Sequence, residues 1–163
     1  MNNFKAHLSD TSIAFWSWLF PVTYLMHIAE EYFVGGGYSE YLMKLRGVHL
    51  SPTRFLVSQS IGVVLMIIGM LIARRLGFLK IMLVILGAVV LINGITHTVT
   101  SLTYRSYGPG LITSIFVWFP LGVATLIRFH GTIKPRKYWM AVLIGVGINA
   151  AIAVFTMKGG RIG

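Results

Sequence analysis

The chain has 163 residues, of which 56% are hydrophobic and only 11% charged. Soluble domains carry about 25% charged residues, so this balance excludes an ordinary water-soluble globule and points to the membrane. Net charge is +10 and cysteine is absent. That excludes disulfides and thiolate metal sites. The basic residues cluster between apolar runs, as loop anchors beside lipid headgroups do, and not in the stripe that a nucleic acid would need.

In chain order, the opening MNNFKAHLSDTS lacks a signal-peptide layout, because the apolar run after it is too long. Five runs are long enough to cross a hydrocarbon core, which takes about 20 apolar residues. The first helix is expected over residues 12–34, bent or loosened at Pro21. A longer connection follows, Gly35-Gly36-Gly37 and then YSEYLMKLRGVHL, with Tyr41, Leu42, Leu45 and Val48 at helical spacing. A short interfacial helix and a solvated loop both fit that pattern. The second helix is expected over 55–73, between Arg54 and Arg74-Arg75, and the third over 78–103, ending before Arg105. The fourth covers 110–129, opened by Pro109, and the fifth 138–157, between Lys137 and Lys158. The runs are continuous rather than alternating, so they are helices and not strands.

The expected fold is therefore all-α, a polytopic integral membrane protein with a five-helix transmembrane bundle. Residues 1–163 form a single transmembrane domain. With the N-terminus inside, the inner side holds eight basic residues, Lys5, Arg74, Arg75, Lys80, Arg128, Lys134, Arg136 and Lys137. The outer side holds six, Lys44, Arg46, Arg54, Arg105, Lys158 and Arg161. The positive-inside rule then favours a cytoplasmic N-terminus in the plasma or inner membrane.

The acidic residues are only Asp10, Glu30, Glu31 and Glu40, and two of them are neighbours inside the first apolar run, in an H-x-x-E-E cluster with His27. Carboxylates there need a metal, a proton or a cationic partner. At 3.6 residues per turn, His27, Glu30 and Glu31 share a face, with Thr23 and Tyr24 one turn deeper. The third helix carries a second stripe, Asn93, Thr96, His97, Thr100 and Tyr104. Helices one and three run parallel in an alternating bundle, so the two stripes meet at the same end, opposite the N-terminus. Ser58, Gln59, Thr113, Ser114 and Asn149 add polar groups at that end.

His27, His97 and one of Glu30 or Glu31 would give three ligands and an open fourth position, the layout of catalytic zinc. The same set matches the 2-His-1-carboxylate arrangement of non-haem Fe(II). The expected cofactor is one divalent ion, Zn or Fe. The other glutamate is a general base, or a partner that holds a histidine tautomer. Asn93 orients His97 or binds substrate. Gln59, Thr96 and Asn149 support the ligands from behind, and Tyr24, Thr100 and Tyr104 line the site. The turn Tyr107-Gly108-Pro109-Gly110 offers backbone N–H groups to an anion or oxyanion at the rim. Arg105 beside it anchors the interface or binds a substrate carboxylate. Gly145, Gly147, Ala150 and Ala151 allow close helix packing or a homo-oligomer. Against all this stands a purely structural polar network of neutral histidines and protonated glutamates.

HIAEE at His27–Glu31, NGITH at Asn93–His97 and YGPG at Tyr107–Gly110 together resemble the HXXEE-domain family of small multipass membrane proteins. That family is marked by H-x-x-E-E, N-x-x-x-H and Y-x-P-G in this order, and the resemblance covers roughly residues 15–130. It implies the membrane fold and these site residues, but no reaction. The site chemistry favours a metal-dependent membrane enzyme, a hydrolase of a lipidic or amphipathic substrate, with membrane lipids as neighbours. Two alternatives stay open. One is a metal-free acid–base isomerase, similar in architecture to the five-helix sterol isomerases of the emopamil-binding type. The other is an ion- or proton-handling subunit without catalysis.

Overall fold

The computed structural model describes the backbone of residues 2–159 and the side chains of residues 12–156 except Arg46. Among the described residues the secondary structure is helical, with no strand. The helices are α1 (Asn2–Phe33), α2 (Gly37–Arg46), α3 (Pro52–Arg75), α4 (Leu79–Tyr104), α5 (Leu111–Phe129) and α6 (Pro135–Gly159). All but α2 are long and apolar enough to cross a membrane. Large apolar side chains cover their outer surfaces, among them Phe15, Leu65, Leu102, Phe116 and Leu143.

Helix starts follow their caps. α3 begins at Pro52, before the expected residue 55, because the Ser51 hydroxyl accepts the Arg54 N–H and Pro52 occupies the first turn. α6 likewise opens on a proline, Pro135, ahead of the expected residue 138. α1 continues through Pro21 without a break. The glycine run after α1 resolves into a tight reversal, with φ of 66°, 85° and 83° at Gly35, Gly36 and Gly37. The longer connection holds a short helix, α2, rather than a loop alone. Its Leu42 joins Val48, Leu50 and Phe55 in a small core at the bundle end, against Ile28 and Tyr38. Each fully buried aliphatic side chain there contributes about 1.5–3 kcal/mol where water is the alternative.

α4 is the central helix, packed along α6 and α5 and touching α1 and α3. Within an apolar surrounding, burial does not drive helices together and close backbone approach matters more. Glycines provide it. A Cβ on Gly145 would lie 2.5 Å from the Ile85 carbonyl, and one on Gly122 would lie 2.9 Å from that of Gly87. Gly145 is thus spent on packing inside the chain. Gly147 faces open space, and Ala150 and Ala151 are exposed, so the expected oligomer face shrinks to these three. The main core joins Phe20, Leu83, Val84, Trp118, Phe129 and Tyr138. At the end away from the H-x-x-E-E cluster, the Trp16 indole donates to Thr125 Oγ1 at 2.9 Å, and the Arg128 guanidinium lies 4.9 Å from the Trp16 ring centre.

α5 is not uniform: one α turn, Leu111–Thr113, leads into a π segment, Ser114–Trp118, before regular helix resumes at Phe119. Pro120 cannot bond the carbonyl four residues back, at Phe116, and its ring crowds that group. The wider π turn sits where this conflict would fall. Its backbone rests on Gly94 of α4, where a Cβ would come within 3.2 Å of the Ser114 carbonyl.

Candidate metal centre

Three ligand-type side chains converge where α1, α4 and the start of α5 meet. His27 Nε2 lies 3.6 Å from Glu31 Oε1, and His97 Nε2 lies 3.4 Å from the same oxygen. One ligand atom from each residue can be chosen so that all lie within 4.8 Å of one another. Metal–ligand bonds of about 2.0–2.1 Å in a tetrahedron set its edges at about 3.3 Å, so two of the three edges are already near that length. His27 and Glu31 are buried, and His97 is half-buried.

The rings are held from several sides. His27 stacks on Trp118 of the π segment, with centroids 3.7 Å apart, and meets the edge of the His97 ring at 4.9 Å. Tyr24 stacks on the same indole at 5.8 Å. The backbone of Gly110 closes over the cluster, because a Cβ there would lie 2.7 Å from His27 Cε1, 2.9 Å from His97 Cε1 and 3.1 Å from Glu31 Cγ. Gly110 also has φ 90°. Glycine is required at this position on both counts.

The two neighbouring glutamates have different partners. Glu31 faces the histidines, and its other oxygen accepts the Gln59 Nε2 proton at 2.9 Å. Gln59 Oε1 in turn accepts the Tyr24 hydroxyl at 2.6 Å. Glu30 turns toward α5. Its Oε1 accepts from Tyr107 Oη at 2.6 Å and Ile112 N at 2.8 Å, and its Oε2 from Thr113 N at 2.7 Å and Thr113 Oγ1 at 2.5 Å. Glu30 is thus an N-terminal cap for α5 and stands outside the His27–Glu31–His97 group. This corrects the expectation that the YGPG turn presents free N–H groups to a bound anion. A carboxylate of the chain itself already fills that helix start, where the unpaired N–H groups favour negative charge. Burial, and then the hydrogen bond to Glu30, hold the Tyr107 phenol above its ordinary range, so it remains a donor.

The rest of the turn is fixed around this cap. Gly108 N donates to Ser101 Oγ at 3.2 Å, Pro109 is fully buried, and the Tyr107 ring packs where a Cβ on Gly35 would be 3.1 Å away. Asn93 lies one turn below His97, and its Oδ1 is buried with no hydrogen-bond partner among the described residues. Thr100 is half-buried one turn above His97, and Tyr104 and Arg105 are exposed at the rim. Arg105 takes φ 48° and closes α4, donating its N–H to the Leu102 carbonyl. Thr96 departs from the expectation. It is exposed and bonds the Ile92 carbonyl at 2.8 Å, because the helix turns it about 100° away from its neighbour His97. Asn149 departs as well. It is buried on α6, which packs along α4, and among the described residues no hydrogen bond joins it to the cluster.

Residues 18–125, about two-thirds of the chain, match the family described as a protein of unknown function with HXXEE motif. The chain belongs to the HXXEE family. No curated protein and no solved structure matches it. In this chain the letters of the HXXEE motif divide their work: the histidine and second glutamate face the cluster, and the first glutamate caps α5. Sequence reasoning did not assign Thr113, Trp118 or Gly94 to the site. Thr113 stood out as a polar residue at the start of a helix, but its spacing did not tie it to His27. Trp118 and Gly94 look like ordinary residues of apolar helices.

Proposed function

We propose that the protein is a multipass membrane metalloenzyme in which His27, Glu31 and His97 hold one divalent ion, Zn or Fe. The observation that carries this reading is the three-residue group itself, with two of its members buried and the third half-buried. Support comes from His27 Nε2, which is buried and has no hydrogen-bond partner among the described residues. A nitrogen in that state beside a carboxylate oxygen is what a cation would satisfy. Three protein ligands leave a position for water or substrate. Zinc there supplies Lewis-acid activation of an ester or phosphoryl group and of water, whereas iron would make the chemistry oxidative.

A cleft of about 240 Å³ reaches Glu31 between the end of α1, the start of α2 and the start of α3, lined by Tyr32, Tyr38, Ser39, Pro52 and Phe55. At about 30 Å³ per water, it accommodates a headgroup or a short segment of substrate, with an apolar remainder left in lipid. That size supports an amphipathic substrate. The ends of the bundle support a cytoplasmic N-terminus. Among the described side chains, Arg74, Arg75, Lys80, Arg128, Lys134, Arg136 and Lys137 lie at the end away from the cluster, and only Lys44, Arg54 and Arg105 near it. Lys5, Arg46, Lys158 and Arg161, also counted from sequence, lie outside the described side chains.

Elemental mass spectrometry of gently purified protein tests the reading. About one zinc or iron per chain is expected, and none after His27→Ala or His97→Ala. Protein that carries no metal and binds none on addition overturns it. That outcome would favour metal-free proton chemistry, for which the chain of contacts Tyr24–Gln59–Glu31–His97 is the supporting observation.

A further inference from the structure

Thr113 Oγ1 has three short contacts, to Glu30 Oε2 at 2.5 Å, to His27 Nδ1 at 2.7 Å and to the Gly110 carbonyl at 3.3 Å. A hydroxyl carries one proton. The same Glu30 oxygen also accepts the Thr113 backbone N–H, and its partner oxygen accepts a phenol and another N–H. Glu30 is therefore surrounded by donors and serves as an acceptor throughout. The Thr113 proton goes to Glu30, the shortest and the only charge-assisted of these three contacts, ahead of His27 Nδ1 and the Gly110 carbonyl. Its oxygen lone pair is then what His27 Nδ1 meets, so Nδ1 must carry the hydrogen.

We propose that Glu30 and Thr113 form a relay that fixes His27 as the Nδ1–H tautomer, so that Nε2 presents a lone pair to Glu31 and His97. Thr113 is in this sense a positioning residue, which acts on the cluster through His27. The geometry at the other nitrogen agrees. Nε2 is 3.6 Å from Glu31 Oε1, too long for a hydrogen bond, and is buried without a partner among the described residues. Two electron-rich atoms face each other there, and a cation between them resolves the conflict. The effect of the relay on metal affinity rests on the metal reading above, but the tautomer does not.

Nitrogen-15 NMR of histidine-labelled protein in lipid nanodiscs reads the tautomer directly, with the His27 signals assigned by their loss in His27→Gln. The relay predicts a protonated Nδ1 and an unprotonated Nε2 in metal-free wild type. Thr113→Ser should keep this pattern, and Thr113→Val should lose it. In Co(II) titrations, Thr113→Val should weaken binding by about 10–100-fold, the usual effect of removing a group that orients a ligand, and Thr113→Ser should restore it. His27 found with its proton on Nε2 in wild type overturns the relay, whatever the Thr113 variants show. So does a Thr113→Val protein that keeps both the wild-type tautomer and wild-type affinity. If wild type shows the predicted tautomer yet binds no metal, the relay stands and the metal reading falls.

Discussion

Gly110→Ala is the sharpest single perturbation of the cluster. The residue has φ 90°, where a Cβ costs about 1–2 kcal/mol in backbone strain. The new methyl would also stand 2.7 Å from His27 Cε1 and 2.9 Å from His97 Cε1, against the 3.4 Å at which ordinary van der Waals contact begins. Both rings must therefore withdraw by roughly half an ångström or more, beyond the about 0.2 Å tolerance of metal–ligand bonds. Overpacking adds about 1–3 kcal/mol, for a total loss of about 2–5 kcal/mol. The control is Gly77→Ala, with φ 76° and nothing within 4 Å of a new Cβ, which should show the strain alone. Thermal unfolding in detergent micelles and Co(II) titration followed by visible absorption measure the two quantities. Gly110→Ala should bind at least about tenfold more weakly than Gly77→Ala, by the scale of other ligand-positioning changes. Equal affinity in the two variants would refute the idea that the YGPG turn sets the spacing of the rings.

Gln59→Leu removes the amide that donates to Glu31 Oε2, and should weaken Co(II) binding by about tenfold while leaving the fold intact; unchanged affinity would show that Gln59 does not hold the ligand. Tyr107→Phe removes one donor to Glu30 at a partly exposed site and should cost about 1 kcal/mol in chemical denaturation. Since the phenol is raised above its ordinary 10.0, its contribution is full below pH 10 and is lost only as pH rises through the raised value. The wild-type minus variant difference should therefore stay flat from pH 7 to pH 9, and a decline over that range would contradict the assignment. Gly145→Ala forces a methyl to 2.5 Å from the Ile85 carbonyl and should lower thermal stability by about 1–3 kcal/mol. Gly147→Ala meets open space and should be neutral or stabilising by up to about 1 kcal/mol through helix propensity. Equal effects would mean that α6 packs on α4 through a different face.

The long helices and the meeting of the two polar stripes were legible in the chain because both follow from periodicity. Residues three and four apart share a face, so His27 pairs with Glu31, and alternating direction brings His97 to the same end. The division between Glu30 and Glu31 was not legible. Adjacent residues differ by about 100° around a helix, and which of them faces α4 and which α5 depends on where the neighbouring axes lie. The same limit explains Thr96, which belonged to the polar stripe by spacing and points outward in the structure. The YGPG turn read as a rim, and it proved to be a lid, because the approach of Gly110 to two imidazoles depends on three separate segments. The π segment left only Pro120 as a trace, and a proline within a helix does not announce on which side the backbone will widen.

The cap on α5 has a consequence for how the protein is made. Of the five long helices, α1 has the lowest mean hydropathy, 1.2, and it is synthesised first. The groups that satisfy Glu30 come 77, 82 and 83 residues later in the chain, and the one that donates to Glu31 comes 28 residues later. At about 5–20 residues per second, roughly 4–16 s of translation separate the first carboxylate from its partners. An acidic residue costs about 2.5–3.5 kcal/mol at the centre of an inserting helix and less near its end, where Glu30 and Glu31 stand. For a chain inserted into a membrane, α1 is therefore expected to reach its settled place only once α3 and α5 have arrived to pair its two carboxylates.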